Sequence, residues 1–361
     1  MSDRLKAGVV GATGMVGQRF VSLLAKHPWF EVVSVSASER SAGKTYTEAV
    51  QNRWAMSVPI PEKIGKLVVK NASNIDDVSA EVDFIFCAVD MPKDKTRELE
   101  DRYAKAETPV VSNNSAHRGT VDVPVVMPEI NDEHFKAIEI QRKRLGSKRG
   151  FIVAKPNCSL QSYVPALHPL RQFGLKHVFV CTYQAISGAG KTFKDWPEMV
   201  DNVIPFISGE EEKSEIEPMK IWGTVDGKGI VPASEPLITS QCIRVPITDG
   251  HMAAVFLSFE KKPSKEQILQ LWKSFKGKPQ KLDLPSAPKP FLRYFEENDR
   301  PQTKIDRDFE DGMGVTVGRL REDRILDYRF ICLSHNTVRG AAGGAVLTAE
   351  LLKSEGYLNG K

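Results

Sequence analysis

One junction near the start of the chain constrains the fold more than any other feature. Residues 5–10 form an apolar run of strand length, and Gly11-Ala12-Thr13-Gly14-Met15-Val16-Gly17 follows as a GxxGxxG turn. Met15, Val16, Phe20, Val21 and Leu24 then recur on one helical face until Lys26-His27-Pro28 ends the helix. Residues 31–36, built around Val32, Val33 and Val35, read as a second strand. Strand, helix and strand in this order imply a parallel sheet with a right-handed crossover. The glycines let backbone N–H groups approach a pyrophosphate, and the helix N-terminus adds a favourable dipole. Gly11, Thr13, Gly14, Met15 and Val16 are therefore candidates for contact with a dinucleotide.

The end of the second strand bears on which dinucleotide. It reads Ser36-Ala37-Ser38-Glu39-Arg40-Ser41. Glu39 suits the ribose hydroxyls of NAD. Ser38, Arg40 and Ser41 together suit a 2′-phosphate, with charge from the arginine and hydrogen bonds from the hydroxyls. The reading favours NADP.

Further strands fit residues 67–69, 82–88, 109–111 and 151–154, with a charged helix over 93–105. Beyond Cys158 the pattern changes. Strands at 177–185, 242–247, 251–259, 314–318 and 325–333 outnumber helices and predict a large, mostly antiparallel sheet. Residues 276–290 hold four prolines and read as a loop. An Ala- and Gly-rich helix over 337–352 closes the chain. With 361 residues, two domains are expected. The expected fold class is a Rossmann-type α/β domain for NADP, residues 1–157 plus 337–361, with a mostly antiparallel α+β domain over 158–336, which the resemblance given below makes the catalytic and dimerisation domain.

Lys155-Pro156-Asn157-Cys158-Ser159 follows a strand and opens a helix. Asn157 is a plausible N-cap, which places Cys158 in the first helical turn, where a thiolate is stabilised and its pKa lowered. Cys87, Cys181, Cys242 and Cys332 read as inert packing residues. A thiolate nucleophile needs a base. His251 is the best candidate, in Arg244-Val245-Pro246-Ile247-Thr248-Asp249-Gly250-His251, where a turn at 248–250 joins two strands and holds Arg244 nearby. Arg244 reads equally as a carboxylate clamp or a strand-end charge. Residues 184–191, QAISGAGK, end another strand in a Gly-rich turn that lacks P-loop spacing.

Composition sets outer limits. The net charge of +4 arises from 50 basic and 46 acidic residues, too mild to indicate nucleic acid, and the basic run at Arg142-Lys143-Arg144 reads as solvated surface. Five widely spaced cysteines form no CxxC or Cys/His pattern, so no disulfide framework or metal is expected. Met1-Ser2-Asp3 leads directly into the first strand and no apolar run reaches membrane-spanning length; a cytoplasmic location and no membrane are expected.

Taken in order, GATGMVG (11–17), SNNSAHR (112–118), PNCS (156–159), TYQAISGAGK (182–191), EEEK (210–213), RVPITDGH (244–251) and NTVRGAAGGAV (336–346) resemble the aspartate-β-semialdehyde dehydrogenase family, in its archaeal and fungal branch, over essentially the whole chain. The resemblance implies roles. Cys158 matches the nucleophile, Gln184 the residue orienting the acyl group and His251 the acid/base. Arg244 matches the partner of the substrate carboxylate and Glu210 that of its ammonium, with Glu211 one residue away as the alternative. Lys213 and Arg118 match phosphate ligands, Asn157 lies at the substrate, and Asn336 matches a nicotinamide contact, with Ser187 and Gly188 also at the cofactor. It further implies a homodimer or homotetramer with NADP as cofactor. N-acetyl-γ-glutamyl-phosphate reduction, malonyl-CoA reduction and a non-catalytic thiol redox sensor are the rival readings.

Overall fold

The computed structural model describes residues 4–361; Met1-Ser2-Asp3, read as leading directly into the first strand, lies outside the described residues. Two six-stranded sheets organise the chain. The first comprises β1 (Leu5–Val10), β2 (Phe30–Ala37), β3 (Lys70–Asn71), β4 (Phe84–Cys87), β5 (Val110–Ser112) and β6 (Ile152–Ala154). Their order is β3-β2-β1-β4-β5-β6, and every pairing is parallel. The order reverses between β1 and β4, so a crevice opens beyond their carboxyl ends. Both faces are covered, which is why Phe84, Ile85, Phe86 and Cys87 are all buried and the strand reads as continuous apolar sequence. The helix Met15–Leu24 packs Phe20 on Phe86, with ring centroids 4.7 Å apart.

The second sheet contains β7 (Leu175–Gln184), β10 (Leu237–Arg244), β11 (His251–Phe259), β12 (Leu292–Phe295), β13 (Val315–Glu322) and β14 (Tyr328–Ser334). A separate two-stranded ladder pairs β8 (Thr224–Val225) with β9 (Ile230–Val231). The large sheet runs β10-β7-β11-β14-β13-β12; its three inner pairings are antiparallel and its two outer ones parallel, so it is mixed. Along β11 every second residue, from His251 through Ala253, Val255 and Leu257 to Phe259, is buried. The helix Leu160–Leu167, buried along its whole length, packs on β11, β13 and β14. Phe179, Leu237 and Ile325 remain exposed.

Four expectations shift. The strand expected at 242–247 is β10, which starts earlier and stops at Arg244. It is an edge strand with only Cys242 and Arg244 buried, and the polar run Thr239-Ser240-Gln241 interrupts its apolar sequence. Residues 67–69 do not continue the first sheet: Leu67 and Val69 bond instead to the backbone at Gly43, Lys44 and Tyr46. β12, inside a Pro-rich surrounding, was not expected. The closing helix begins with a π-helical turn, Val338–Ala342, before Gly343–Ser354, because Ala341 leaves helical geometry at φ −142°, ψ −109°. That last helix returns to the first sheet, where Val346, Leu347 and Leu351 join the core of Val9, Phe30 and Phe86. In the basic run, Arg142 pairs with Glu139 and Arg144 with Asp122. Among the described residues, no helix is long and apolar enough to cross a membrane.

Candidate active site

A cleft of about 470 Å³ opens above β1 and β4, lined by Gly11, Thr13, Gly14, Ser38, Glu39, Arg40, Arg53 and residues 71–73 and 88–91. The glycines are required there. Gly11 has φ +87°, and a Cβ on it would stand 2.4 Å from the Ala88 carbonyl oxygen; one on Gly17 would stand 2.2 Å from the Gly11 oxygen. This close-packed turn leaves backbone exposed to a ligand, and Ser38, Arg40 and Arg53 set hydroxyl and cationic groups on the same wall. The residues fit a dinucleotide bearing a 2′-phosphate. Two candidates move. Ser41 is buried outside the cleft, where its hydroxyl accepts a hydrogen bond from Arg53 at 3.2 Å, so Arg53 occupies the position expected of it. Met15 opens the helix without lining the cleft, whereas Val16, one residue on, lines the neighbouring cavity.

That cavity, about 280 Å³, holds Cys158 together with Asn113, Asn114, Arg118, Lys155, Asn157, Ser187, Gly188, Glu210, Lys213 and Asn336. β6 delivers the nucleophile turn. The Asn157 Oδ1 accepts from the Ser159 backbone N–H at 2.8 Å and its hydroxyl at 2.7 Å. Asn157 therefore caps the turn, but Cys158 sits just before the helix, which starts at Leu160. A low thiol pKa does not follow. Burial pushes the Cys158 thiol up and Glu210 adds to this, against Lys155, Arg118 and Arg244. Gly340 presses on the turn: a Cβ there would lie 2.9 Å from the Cys158 Cβ.

Three neighbouring strand ends supply the next group. Arg244 pairs in register with Gln184, and Met252 with Tyr183, so β7 separates β10 from β11. The turn at 248–250 thus joins two strands that are not paired with each other. Arg244 and His251 still converge. A Cβ on Gly188 would lie 3.0 Å from His251 Nε2 and 3.1 Å from Arg244 Nη1. The Ala185 backbone N–H donates to His251 Nδ1 at 3.1 Å, so the neutral ring carries its proton on Nε2. Burial, followed by Arg244, brings the imidazolium down to about 3. Arg244 donates to the Ala185 carbonyl at 2.6 Å.

The helix Glu210–Ile221 supplies the charges. Glu210 accepts from Lys213 at 2.7 Å, from the Asn157 amide at 3.0 Å and from Gln184 at 3.2 Å. Burial pushes its carboxyl up, but Lys213 and these hydrogen bonds outweigh it, and the net direction is down. Glu211 points away to Gln241 and the Cys242 N–H, and of the two it is Glu210 that lines the cavity. Two turns on from Glu210, Glu217 accepts from Arg118 at 3.0 Å and from the Asn157 backbone N–H at 2.7 Å, tying a candidate phosphate ligand to the nucleophile turn. Asn336 donates to Ser187 at 2.9 Å and accepts from the Gly250 N–H at 2.7 Å. Glu217, Arg53 and Lys155 escaped the sequence reading, since no motif or local spacing marks them.

The arrangement holds a half-buried thiol, an imidazole with its proton on Nε2, an arginine and a carboxylate beside a dinucleotide cleft. The comparisons agree. Residues 6–138 match the semialdehyde dehydrogenase NAD binding domain and residues 167–339 the semialdehyde dehydrogenase dimerisation domain. An aspartate-semialdehyde dehydrogenase of Archaeoglobus fulgidus is 44% identical over 98% of this chain and 99% of its own. The Aspergillus fumigatus counterpart is 42% identical over 98% of each. The crystal structure of the Candida albicans enzyme with NADP superposes with a TM-score of 0.88 at 38% identity, covering 98% of this chain and 100% of that one. A Vibrio cholerae aspartate semialdehyde dehydrogenase II complexed with ASA gives 0.75 at 26% identity over the same shares. Identity of this order along the full length, on a matching pair of domains, means that the chain belongs to the aspartate-semialdehyde dehydrogenase family.

Proposed function

We propose that this protein reduces L-aspartyl-4-phosphate to L-aspartate-4-semialdehyde, reversibly and with NADPH, through a thioester on Cys158. The reaction serves the synthesis of lysine, threonine, methionine and isoleucine from aspartate. The observation that carries the reading is that Cys158 and Glu210 line one cavity, Gln184 bonds to Glu210, and Arg244 and His251 stand directly behind Gly188 of the same cavity wall.

Arg244 pairs with the substrate carboxylate and Glu210 with its ammonium, so the acyl carbon is presented to Sγ of Cys158. Gln184 orients the acyl group. Backbone N–H groups of the turn stabilise the oxyanion, and phosphate departs toward Arg118 and Lys213. NADPH, when held by Gly11, Thr13, Gly14, Ser38, Arg40 and Arg53 with Ser187 and Asn336 toward its nicotinamide, supplies a hydride to the acyl carbon. His251 gives its Nε2 proton to the oxygen that gains negative charge and takes it back as the C–S bond breaks, the electron pair returning to Sγ of Cys158 and leaving the carbonyl of the semialdehyde. A substrate lacking the ammonium, such as N-acetyl-glutamyl phosphate, leaves Glu210 without that partner. We assign residues 1–157 and 337–361 to the NADP-binding domain and 158–336 to the catalytic and dimerisation domain. The protein works in the cytoplasm as a homodimer or homotetramer, without nucleic acid.

The test mixes the protein with L-aspartate-4-semialdehyde, phosphate and NADP⁺ and follows NADPH absorbance. Phosphate-dependent NADPH formation is expected. Cys158→Ala is expected to abolish it while leaving NADPH binding intact. No signal from protein that binds NADPH overturns the assignment, and turnover by the alanine variant overturns the thioester route.

A further inference from the structure

The segment that carries Arg53 is fastened to the dinucleotide turn at both ends. At one end the short helix Tyr46–Val50 seats Tyr46, fully buried, whose hydroxyl donates to the Ala12 carbonyl at 2.9 Å. At the other stands Gln18, on the helix that follows the turn and only 2% exposed. Its side-chain amide donates to the Thr13 carbonyl at 3.1 Å and to the Arg53 carbonyl at 3.0 Å, and its oxygen accepts from the Ala55 N–H at 2.8 Å. A peptide is planar and trans, so a carbonyl held in place also fixes the N–H of the next residue. These bonds therefore set the N–H groups of Thr13 and Gly14 in the turn.

Gln18 shares the buried face of its helix with Phe20, Val21 and Leu24, where an apolar residue would serve packing equally well. A buried amide costs stability unless its donors and acceptor find partners. All three of its bonds go to the turn and to the Arg53 segment, none to the core. Residues 51–53 are exposed, and among the described residues no other hydrogen bond joins the backbone of 51–57 to the body of the domain. Arg53 lines the dinucleotide cleft with Ser38 and Arg40, and its guanidinium donates to the Ala49 carbonyl at 3.0 Å and to the Ser41 hydroxyl at 3.2 Å.

We propose that Gln18 is a positioning residue for cofactor choice: it ties the turn that meets the pyrophosphate to the backbone of the arginine that meets the 2′-phosphate. Both phosphate sites then belong to one fixed frame. Without Gln18, Arg53 rides on an exposed loop, and part of its attraction is spent on ordering that loop when the cofactor binds. NADH has no 2′-phosphate, so it feels only the change in the turn. The inference rests on the reading of the cleft as an NADPH site.

Its test uses binding rather than turnover. Titration calorimetry gives the Kd for NADPH and for NADH in the wild type, Gln18→Met, Arg53→Ala and the double variant. Methionine keeps the length of Gln18 and loses its two donors and its acceptor. The ratio of the NADH Kd to the NADPH Kd is expected to fall about tenfold in Arg53→Ala and about three- to tenfold in Gln18→Met. In the double variant it should fall no further than in Arg53→Ala alone, because Gln18 acts through Arg53. Both dinucleotides bind the same folded protein, so a loss of stability by itself leaves the ratio unchanged. Gln18→Leu, which removes the same three bonds, should repeat the methionine result and takes its place if that variant fails to fold. An unchanged ratio in the Gln18 variants, or losses that add in the double variant, overturn the proposal. An unchanged ratio in Arg53→Ala removes Arg53 from the 2′-phosphate and overturns it too. Wild-type protein that binds NADH as tightly as NADPH overturns the reading of the cleft itself.

Discussion

Replacing Arg339 with methionine is expected to cost more stability than removing both charges of its ion pair. Its guanidinium, fully buried, donates two bonds of 2.6 Å to the two oxygens of Glu129 and a third of 2.9 Å to Gln161. It also lies 4.6 Å from the centre of the Phe291 ring. Glu129 comes from a loop of the first half of the chain, 210 residues away, and Gln161 from the helix that follows Cys158. Methionine fills much of the arginine volume, so the perturbation is mainly electrostatic. A buried carboxylate left without its partner costs about 3–5 kcal/mol, and the lost Gln161 bond adds about 1 kcal/mol. Glu129→Gln together with Arg339→Met leaves no buried charge, and the double variant should fall only about 1–2 kcal/mol below wild type. The coupling between the two positions is then at least about 2 kcal/mol. Urea unfolding of the four proteins, followed by tryptophan fluorescence, measures it. A double variant whose loss equals the sum of the single losses refutes the reasoning, because the two charges would then not compensate each other.

Two other outcomes follow from the site. Arg40, exposed on the wall of the dinucleotide cleft, has a phosphate to meet only in NADPH; Arg40→Ala is expected to raise the NADPH KM about tenfold and leave the NADH KM nearly unchanged, and equal effects would remove it from the phosphate site. Gly188→Ala places a methyl 3.0 Å from His251 Nε2 and 3.1 Å from Arg244 Nη1; kcat should fall on the order of a hundredfold with the urea midpoint held, and wild-type kinetics would mean that both side chains yield freely.

How much was legible before the structure depended on whether a residue's role is set by its neighbours in sequence. The glycine turn is largely local: Gly17 is required by the close approach of Gly11 and Ala12 within the same turn, and Gly11 by its positive φ, although the Ala88 carbonyl also closes on Gly11 from the end of β4. The helix Lys93–Lys105 carries its own amphipathic signal, and its bounds were read as they stand. β10 fails the same test, because an edge strand half open to water need not look apolar. The chemistry of the thiol fails it more deeply. The notion of a lowered pKa came from the local helix start, whereas Cys158 feels Glu210, 52 positions onward, together with burial by the Gly340 turn. The protonation of His251 is equally remote from its own sequence. It is set by the Ala185 N–H at the end of β7, and β7 reaches that place only because it lies between β10 and β11. Motifs could therefore name the residues of the cavity, but which of them gives a proton and which takes one is decided by strand order.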